Sequence, residues 1–251
     1  MKLDTFSRFS SKAENYAKYR PDYASEAILA IFTHTQLMPT WTIADIGSGT
    51  GIVSRHFIKN RNMIYAVEPN SQMRQTAEKC LGKYPSFLSV DGSSQATMLP
   101  DKSIDLITVG QAIRWFDGEP TQREFARILK PIGWLAILQH ARPNDDMRWT
   151  LNHIVTADNG WTPEEYLNHQ IRPFEWWFDE KELIHLQFPN PHTFDQEGLI
   201  GLQLSNSHAP DESHPKFSTY VLALEKVFDK FQTESKVTLD FTTHLYLGQI
   251  R

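Results

Sequence analysis

The sequence predicts an α/β protein built on a mainly parallel sheet. Three observations carry that prediction. Short β-rich runs alternate with helix-like stretches between residues 42 and 138. Alternation at this pitch implies right-handed crossovers that lay parallel strands side by side. The runs are apolar nearly throughout, as WLAIL at 134–138 is, which suits strands covered on both faces. The first run also empties into three alternate glycines and then a helix-like stretch, a strand–turn–helix junction written in the chain.

Taken in order, strands are expected at Thr42–Ile46, Met63–Val67, Ser86–Val90, Asp105–Val109 and Trp134–Leu138. Helices are expected between them at Gly51–Lys59, Ser71–Leu81 and Thr121–Leu129. The last has a start signal in Pro120 and a Thr121–Glu124 capping box. Ahead of the first strand, Ile28, Ile31 and Phe32 mark one apolar helical face. Further upstream, residues 6–23 set Phe6, Phe9, Tyr16, Tyr19 and Tyr23 among polar residues and read as an arm packed on the sheet domain.

The pattern changes after Gln139. Residues 140–178 carry Trp149, Trp161, Trp176 and Trp177, with a helix start at Thr162-Pro163-Glu164-Glu165. Ile184, Leu186 and Phe188 alternate with His185 and Gln187 as a strand. Residues 189–215, rich in Pro, His, Ser and Asn, read as a long surface connection. Phe217, Tyr220, Val221, Leu224, Val227, Phe228 and Phe231 share one helical face. Val237, Leu239, Phe241, Leu245 and Leu247 alternate in a closing strand. A single domain is expected: an arm over 1–23, a ligand-binding core over 24–139, a lid with the sixth strand and connection over 140–215, and the last helix and strand over 216–251.

Composition narrows the classes. The 251 residues include 25 Lys plus Arg against 30 Asp plus Glu, a net charge of −5 that offers nucleic acid no general attraction. The longest unbroken apolar run is six residues, Ala27–Phe32, far below the roughly 20 of a membrane helix. One cysteine, Cys80, excludes an internal disulfide and a thiolate zinc cluster, and reads as a helix core residue. None of the ten histidines forms an HxH or HxxxH pair, so no metal is expected. No charged-then-apolar leader opens the sequence, which points to the cytoplasm.

The junction noted first is Ile43-Ala44-Asp45-Ile46-Gly47-Ser48-Gly49-Thr50-Gly51. Its glycines allow a tight turn and let a ligand approach the backbone without a Cβ in the way. The N–H groups at the following helix start would face that ligand. Seventeen residues beyond Gly51 the second strand ends in Glu68. A carboxylate there can accept hydrogen bonds from both hydroxyls of a ribose. Two nucleoside cofactors could use this geometry. A nicotinamide dinucleotide, and hence an oxidoreductase, would call for GxGxxG, but the third glycine's place is taken by Ile52. S-adenosylmethionine has no phosphate and needs room for its methionine portion.

From here the sequence resembles the class I S-adenosylmethionine-dependent methyltransferases. DIGSGTG at 45–51 resembles their first motif and AVEPN at 66–70 the second. VDGSSQATMLPDKSIDLITVGQAIRWFD at 90–117 is similar to the third strand, adenine loop and fourth strand of the type 11 branch, which includes trans-aconitate methyltransferase-like enzymes. ARILKPIGWLAIL, YAKYRPDY and the closing VTLDFTTHLYLGQI are similar to that branch too. The resemblance implies a Rossmann-like, mostly parallel seven-stranded sheet with helices on both faces, an antiparallel last strand and a helical lid.

It also implies a site. Gly47, Ser48, Gly49 and Gly51 would line the cofactor's methionine and ribose portions, with Asp45 helping to hold its amino group. Glu68 would grip the ribose, and Pro69, Asn70 and Met73 would flank the adenosine. Ser94 would offer a backbone N–H to the base. Ser93 stands where the family often has Asp, with Asp91 a possible substitute in another register. Gly110 and Gln111 would lie near the methionine amino group, and Tyr16 and Arg20 would close over it, Arg20 pairing its carboxylate. Arg114 stands where the branch commonly has His, and Arg cannot act as a general base. With Trp115 and Phe116 it is a candidate wall for a small-molecule substrate. Ile132-Gly133 replaces a Gly-Gly turn before the fifth strand. No catalytic triad is recognisable, and none is required where the cofactor carries an activated methyl group. A catalytically silent cofactor-binding relative would share the same motifs.

Overall fold

The computed structural model describes residues 7–159, 172–179, 183–207 and 209–250. Phe6, Trp161, His208 and the helix start expected at 162–165 lie outside them. The strands are β1 Thr42–Ile46, β2 Met63–Val67, β3 Phe87–Val90, β4 Ile104–Gly110, β5 Leu129–Ala141, β6 Ile184–Phe194 and β7 Val237–Gly248. The helices are α1 Ala13–Tyr19, α2 Ser25–Thr35, α3 Ser54–Ile58, α4 Ser71–Leu81, α5 Gly118–Ile128, α6 Asp146–Asn159, α7 Gln196–Leu204 and α8 Phe217–Phe231. The seven strands are ordered β3-β2-β1-β4-β5-β7-β6. The first five run parallel, and the last two are antiparallel.

Alternating side chains explain why these strands carry so few polar residues. Ile43, Ile64, Leu106, Ala136 and Leu138 face a layer with α2, α3 and α4. Ala44, Val67, Ile107, Leu135 and Ile137 face a second layer with Phe125 and Ile128 of α5 and with Trp177 and Phe178. Both faces are dry, so an apolar residue is favoured at nearly every position.

The chain falls into two compact units. One holds residues 22–140, 171–188 and 243–251, hence the parallel strands and α2 to α5. The other holds residues 1–21, 141–170 and 189–242. Its core joins Met147 and Leu151 of α6, Leu199 and Leu202 of α7, Tyr220, Leu224, Val227 and Phe228 of α8, and Val237 and Leu239 of β7. In this second unit the arm's Lys18 and Tyr19 pack on α7, while its end, Asp22 and Tyr23, packs in the sheet unit as expected. A Cβ on Gly201 would lie 2.2 Å from the Tyr19 ring, and Glu197 accepts from Lys18 Nζ at 2.8 Å and Tyr19 Oη at 2.5 Å.

Other expectations need correction. The segment 189–215 is not a long connection, because β6 continues to Phe194 and α7 follows, capped by Asp195 accepting from the Gly198 N–H at 2.8 Å. Pro189 and Pro191 are tolerated because β6 is an outer strand, where a missing N–H breaks no essential ladder bond. α5 begins at Gly118, so Thr121 and Glu124 form no capping box and turn elsewhere. α3 spans only Ser54–Ile58, since the chain from Gly51 to Val53 is still turning. β5 starts at Leu129, and its register with β4 jumps from Ile104–Leu129 to Leu106–Trp134. The Ile132-Gly133 turn is therefore a bulge inside one strand. Cys80 is exposed, because the buried face of α4 is Met73, Ala77 and Leu81, and position 80 falls beside it. Among the described residues no helix is long and apolar enough to cross a membrane.

Candidate functional site

β1 sits between β2 and β4, so the strand order reverses beside it. Open α/β sheets bind ligands beyond the carboxyl ends of strands at such a switch point. The glycine loop leaves β1 there. Gly47 and Ser48 donate their N–H groups to the Val67 carbonyl at the end of β2, at 2.9 and 3.2 Å. Gly47, Gly49 and Gly51 take φ of +66°, +56° and +83°, a region that side chains disfavour.

The three glycines differ in what surrounds them. A Cβ on Gly47 would lie 2.6 Å from the Ala112 Cβ and 3.3 Å from Phe116, and one on Gly51 would lie 2.6 Å from Leu81. Those two are glycines because neighbours press against the backbone. A Cβ on Gly49 would meet nothing within 4 Å. Gly49 is the one that opens outward.

Glu68 meets the loop at this point. Its Oε2 accepts from the Gly49 N–H at 3.0 Å and its Oε1 from the Asn70 N–H at 2.9 Å. Asn70 in turn caps α4 by accepting from the Met73 N–H at 3.0 Å, the reason α4 starts where it does. Glu68 is only 9% exposed. Burial pushes its carboxyl above the ordinary range, while the two N–H bonds and Arg74 pull it back. The sequence expectation did not include Arg74, which donates to the Glu68 carbonyl at 2.7 Å and pairs with Asp91 at 2.9 Å. Asp91 is thereby engaged.

Asp45 is fully buried behind the loop. Its Oδ2 accepts from the Ser54 N–H at 3.1 Å and the Ser54 hydroxyl at 2.6 Å, and its Oδ1 from Thr108 at 3.1 Å. It ties β1 to the start of α3 and to β4, so its direct bonds are structural. Burial raises its carboxyl to about 6, against these hydrogen bonds. Beside it the Thr50 hydroxyl is buried without a hydrogen-bond partner.

Ser93 and Ala96 close a tight turn through paired backbone bonds of 3.0 and 3.2 Å. α5 holds that turn: Thr121 Oγ1 lies 3.0 Å from Ser94 Oγ, and Glu124 accepts from the Thr97 N–H at 2.8 Å and the Thr97 hydroxyl at 2.6 Å. Arg127, first among the causes, holds Glu124 down to about 2. These are the duties of Thr121 and Glu124 in place of a capping box. At the end of β4, Gly110 lies against Val53 and the Tyr23 hydroxyl. Gln111 takes a left-handed φ of 59° and donates to the Leu138 carbonyl at 3.0 Å. Arg114 is exposed, while Trp115 and Phe116 are half-buried and Phe116 meets Phe125 edge-on. His140 stacks on Tyr23 with centroids 4.6 Å apart; sequence periodicity had no means of pairing them.

Loop, Glu68, Asn70 and Met73 are thus one bonded assembly, with Pro69 between the two polar members. Tyr16 and Arg20 belong to the other unit. There Arg20 donates to Asn206 Oδ1 at 2.7 Å and to the Ser205 carbonyl at 3.3 Å, and its guanidinium lies over the Tyr16 ring at 4.9 Å. Among the described residues no three His, Cys, Asp or Glu side chains gather as a metal site.

Fold and loop geometry are those of the Rossmann-like methyltransferase fold. Residues 44–137 match the family model described as a methyltransferase domain. It is 31% identical to the uncharacterized methyltransferase C25B8.09 of Schizosaccharomyces pombe over 137 residues, covering 54% of this chain and 53% of that one. It is 29% identical over 154 residues to the uncharacterized methyltransferase Mb3374 of Mycobacterium bovis, covering 60% and 59%. The chain spans between half and three fifths of these curated relatives. A protein described as a type II methyltransferase from Anaeromyxobacter dehalogenans superposes with a TM-score of 0.64 at 19% identity, covering 92% of this chain and 98% of that one. The YcgJ protein of Bacillus subtilis gives 0.58 at 18% identity, covering 91% and 99%. At these identities the solved structures speak to fold alone.

Proposed function

We propose that the chain transfers a methyl group from S-adenosylmethionine to a small-molecule acceptor, at oxygen or nitrogen in preference to carbon. The observation that carries this reading is the 3.0 Å bond between Glu68 and the Gly49 N–H, which brings a sugar-binding acid and an open backbone bend to one rim. The residues present fit such a cofactor. Gly49 leaves room where any other residue would put a Cβ. A carboxylate has about four lone-pair sites, and two of Glu68's are used by N–H groups, leaving two for the ribose hydroxyls. The partnerless Thr50 hydroxyl supplies a further polar group beside the loop.

Bound there, the cofactor's sulfonium supplies a methyl group already activated for displacement. The protein's task is then to align the acceptor in line and to exclude water. Gly110 and Gln111 would flank the methionine end, and Trp115 and Phe116 would offer the acceptor an apolar wall. Arg114, exposed beside that wall, stays charged and cannot take a proton. An acceptor that arrives already ionised fits this surrounding best.

Incubation with methyl-labelled cofactor and fractionated small-molecule pools tests the proposal, read by mass. Label is expected in a small molecule that gains one methyl group. Label found in protein or nucleic acid would contradict the acceptor class, and a protein that binds the cofactor but labels nothing would favour a catalytically silent relative.

A further inference from the structure

Arg142 stands one residue past the end of β5, and its guanidinium is withdrawn from water without being satisfied. The side chain is 14% exposed. Its Nε and Nη2 are both buried and have no hydrogen-bond partner. The nearest acid is Asp145, whose Oδ1 lies 3.7 Å from Nη2, beyond hydrogen-bond reach. That oxygen is already committed, because it accepts from the Arg148 backbone N–H at 2.6 Å. Arg148 donates its own Nη1 to the Arg142 carbonyl, which fastens a second cation beside the first. The Phe241 ring faces the guanidinium with 5.8 Å between its centroid and Cζ. Burial pushes Arg142 below its ordinary range, Arg148 adds to that, and Asp145 and Asp240 oppose it. Arg nonetheless remains charged.

Nε and Nη2 form one side of the guanidinium, the fork that takes two oxygens of a carboxylate or phosphate in parallel. Leaving that fork buried and unfilled is costly. Most buried polar groups find partners, so one that does not calls for a reason. Asp145 has the right chemistry but is held by the Arg148 N–H, too far off to fill the fork.

We propose that the Nε–Nη2 fork of Arg142 binds a small oxyanion, a carboxylate or a phosphate. Its parts, Arg142, Asp145, Arg148 and Phe241, all lie within one unit, and the site stands independently of the methyltransferase reading above.

Calorimetric titration of the full chain with succinate and with inorganic phosphate tests this, using wild type, Arg142→Gln, Arg142→Lys and Asp145→Asn. S-adenosylhomocysteine is titrated into each as a separate arm. Wild type is expected to bind at least one anion saturably, and both Arg142 variants about tenfold or more weakly, with cofactor-analogue affinity within about twofold of wild type. Lysine keeps the charge but not the fork, so its loss reports bidentate geometry. Asp145→Asn removes the competing charge and is expected to bind the anion several-fold more tightly, which tests the site even if an Arg142 variant does not fold. Tighter succinate assigns a carboxylate ligand and tighter phosphate a phosphorylated one. No saturable binding by wild type, or wild-type affinity in Arg142→Lys, would overturn the site. Failure of S-adenosylhomocysteine alone would sink the methyltransferase reading and leave the anion result standing.

Discussion

At the scale of single residues, two buried carboxylates close together do different work. Glu68 accepts one backbone N–H on each oxygen, which on the proposed reading leaves lone pairs for a ligand, whereas Asp45 spends its oxygens on Ser54 and Thr108. Motif spacing identified both as acids near the loop, but only three-dimensional partners separate ligand holder from internal tie. Arg74 was illegible for a related reason: nothing in its local pattern says that it reaches back to the Glu68 carbonyl. The Asp45 carboxyl is raised from 3.8 to about 6 by burial. A raised folded value means that this group's contribution to stability is fully present below about 4 and is lost as pH rises through about 6. Stability of Asp45→Asn, followed by urea unfolding between pH 4 and 7, is expected to lack that component of the decline. A variant whose slope matches wild type would show that Asp45 is not the titrating group.

Among elements, the glycine loop separates two kinds of constraint that look identical in sequence. Gly49→Ala places a methyl group in open space, so its folding cost is the left-handed backbone alone, about 1–2 kcal/mol. Its effect is expected mainly on S-adenosylhomocysteine binding. Gly51→Ala must also move Leu81 and is expected to lose about 1–3 kcal/mol more. Equal stabilities of the two variants would refute the distinction. In the second unit, Gly201→Ala would drive a methyl group into the Tyr19 ring, and about 1–3 kcal/mol of stability should be lost in urea. Unchanged stability would mean that the α1–α7 contact does not matter. Most elements were legible: α4 spans Ser71–Leu81 as expected, and α8 runs the length of the apolar face from Phe217 to Phe231. β6 was cut short because its two prolines read as a loop, and only its place at the sheet edge makes them admissible.

For the whole molecule, the parallel sheet follows from local periodicity, since each crossover is built from neighbouring sequence. The second unit does not, because it is assembled from distant segments. Lys18 meets Glu197 and Lys12 meets Asp211 at 2.7–2.8 Å, pairs that no periodicity relates. The proposed function rests on one feature of the sheet unit, the junction of the glycine loop with Glu68. Calorimetry with S-adenosylhomocysteine on wild type, Glu68→Gln and Glu68→Ala measures it directly. We expect one site in wild type, a roughly tenfold loss in Glu68→Gln, and about a hundredfold or greater loss in Glu68→Ala as two charge-assisted bonds disappear. Absence of binding by the wild-type protein, or undiminished affinity in Glu68→Ala, would contradict it.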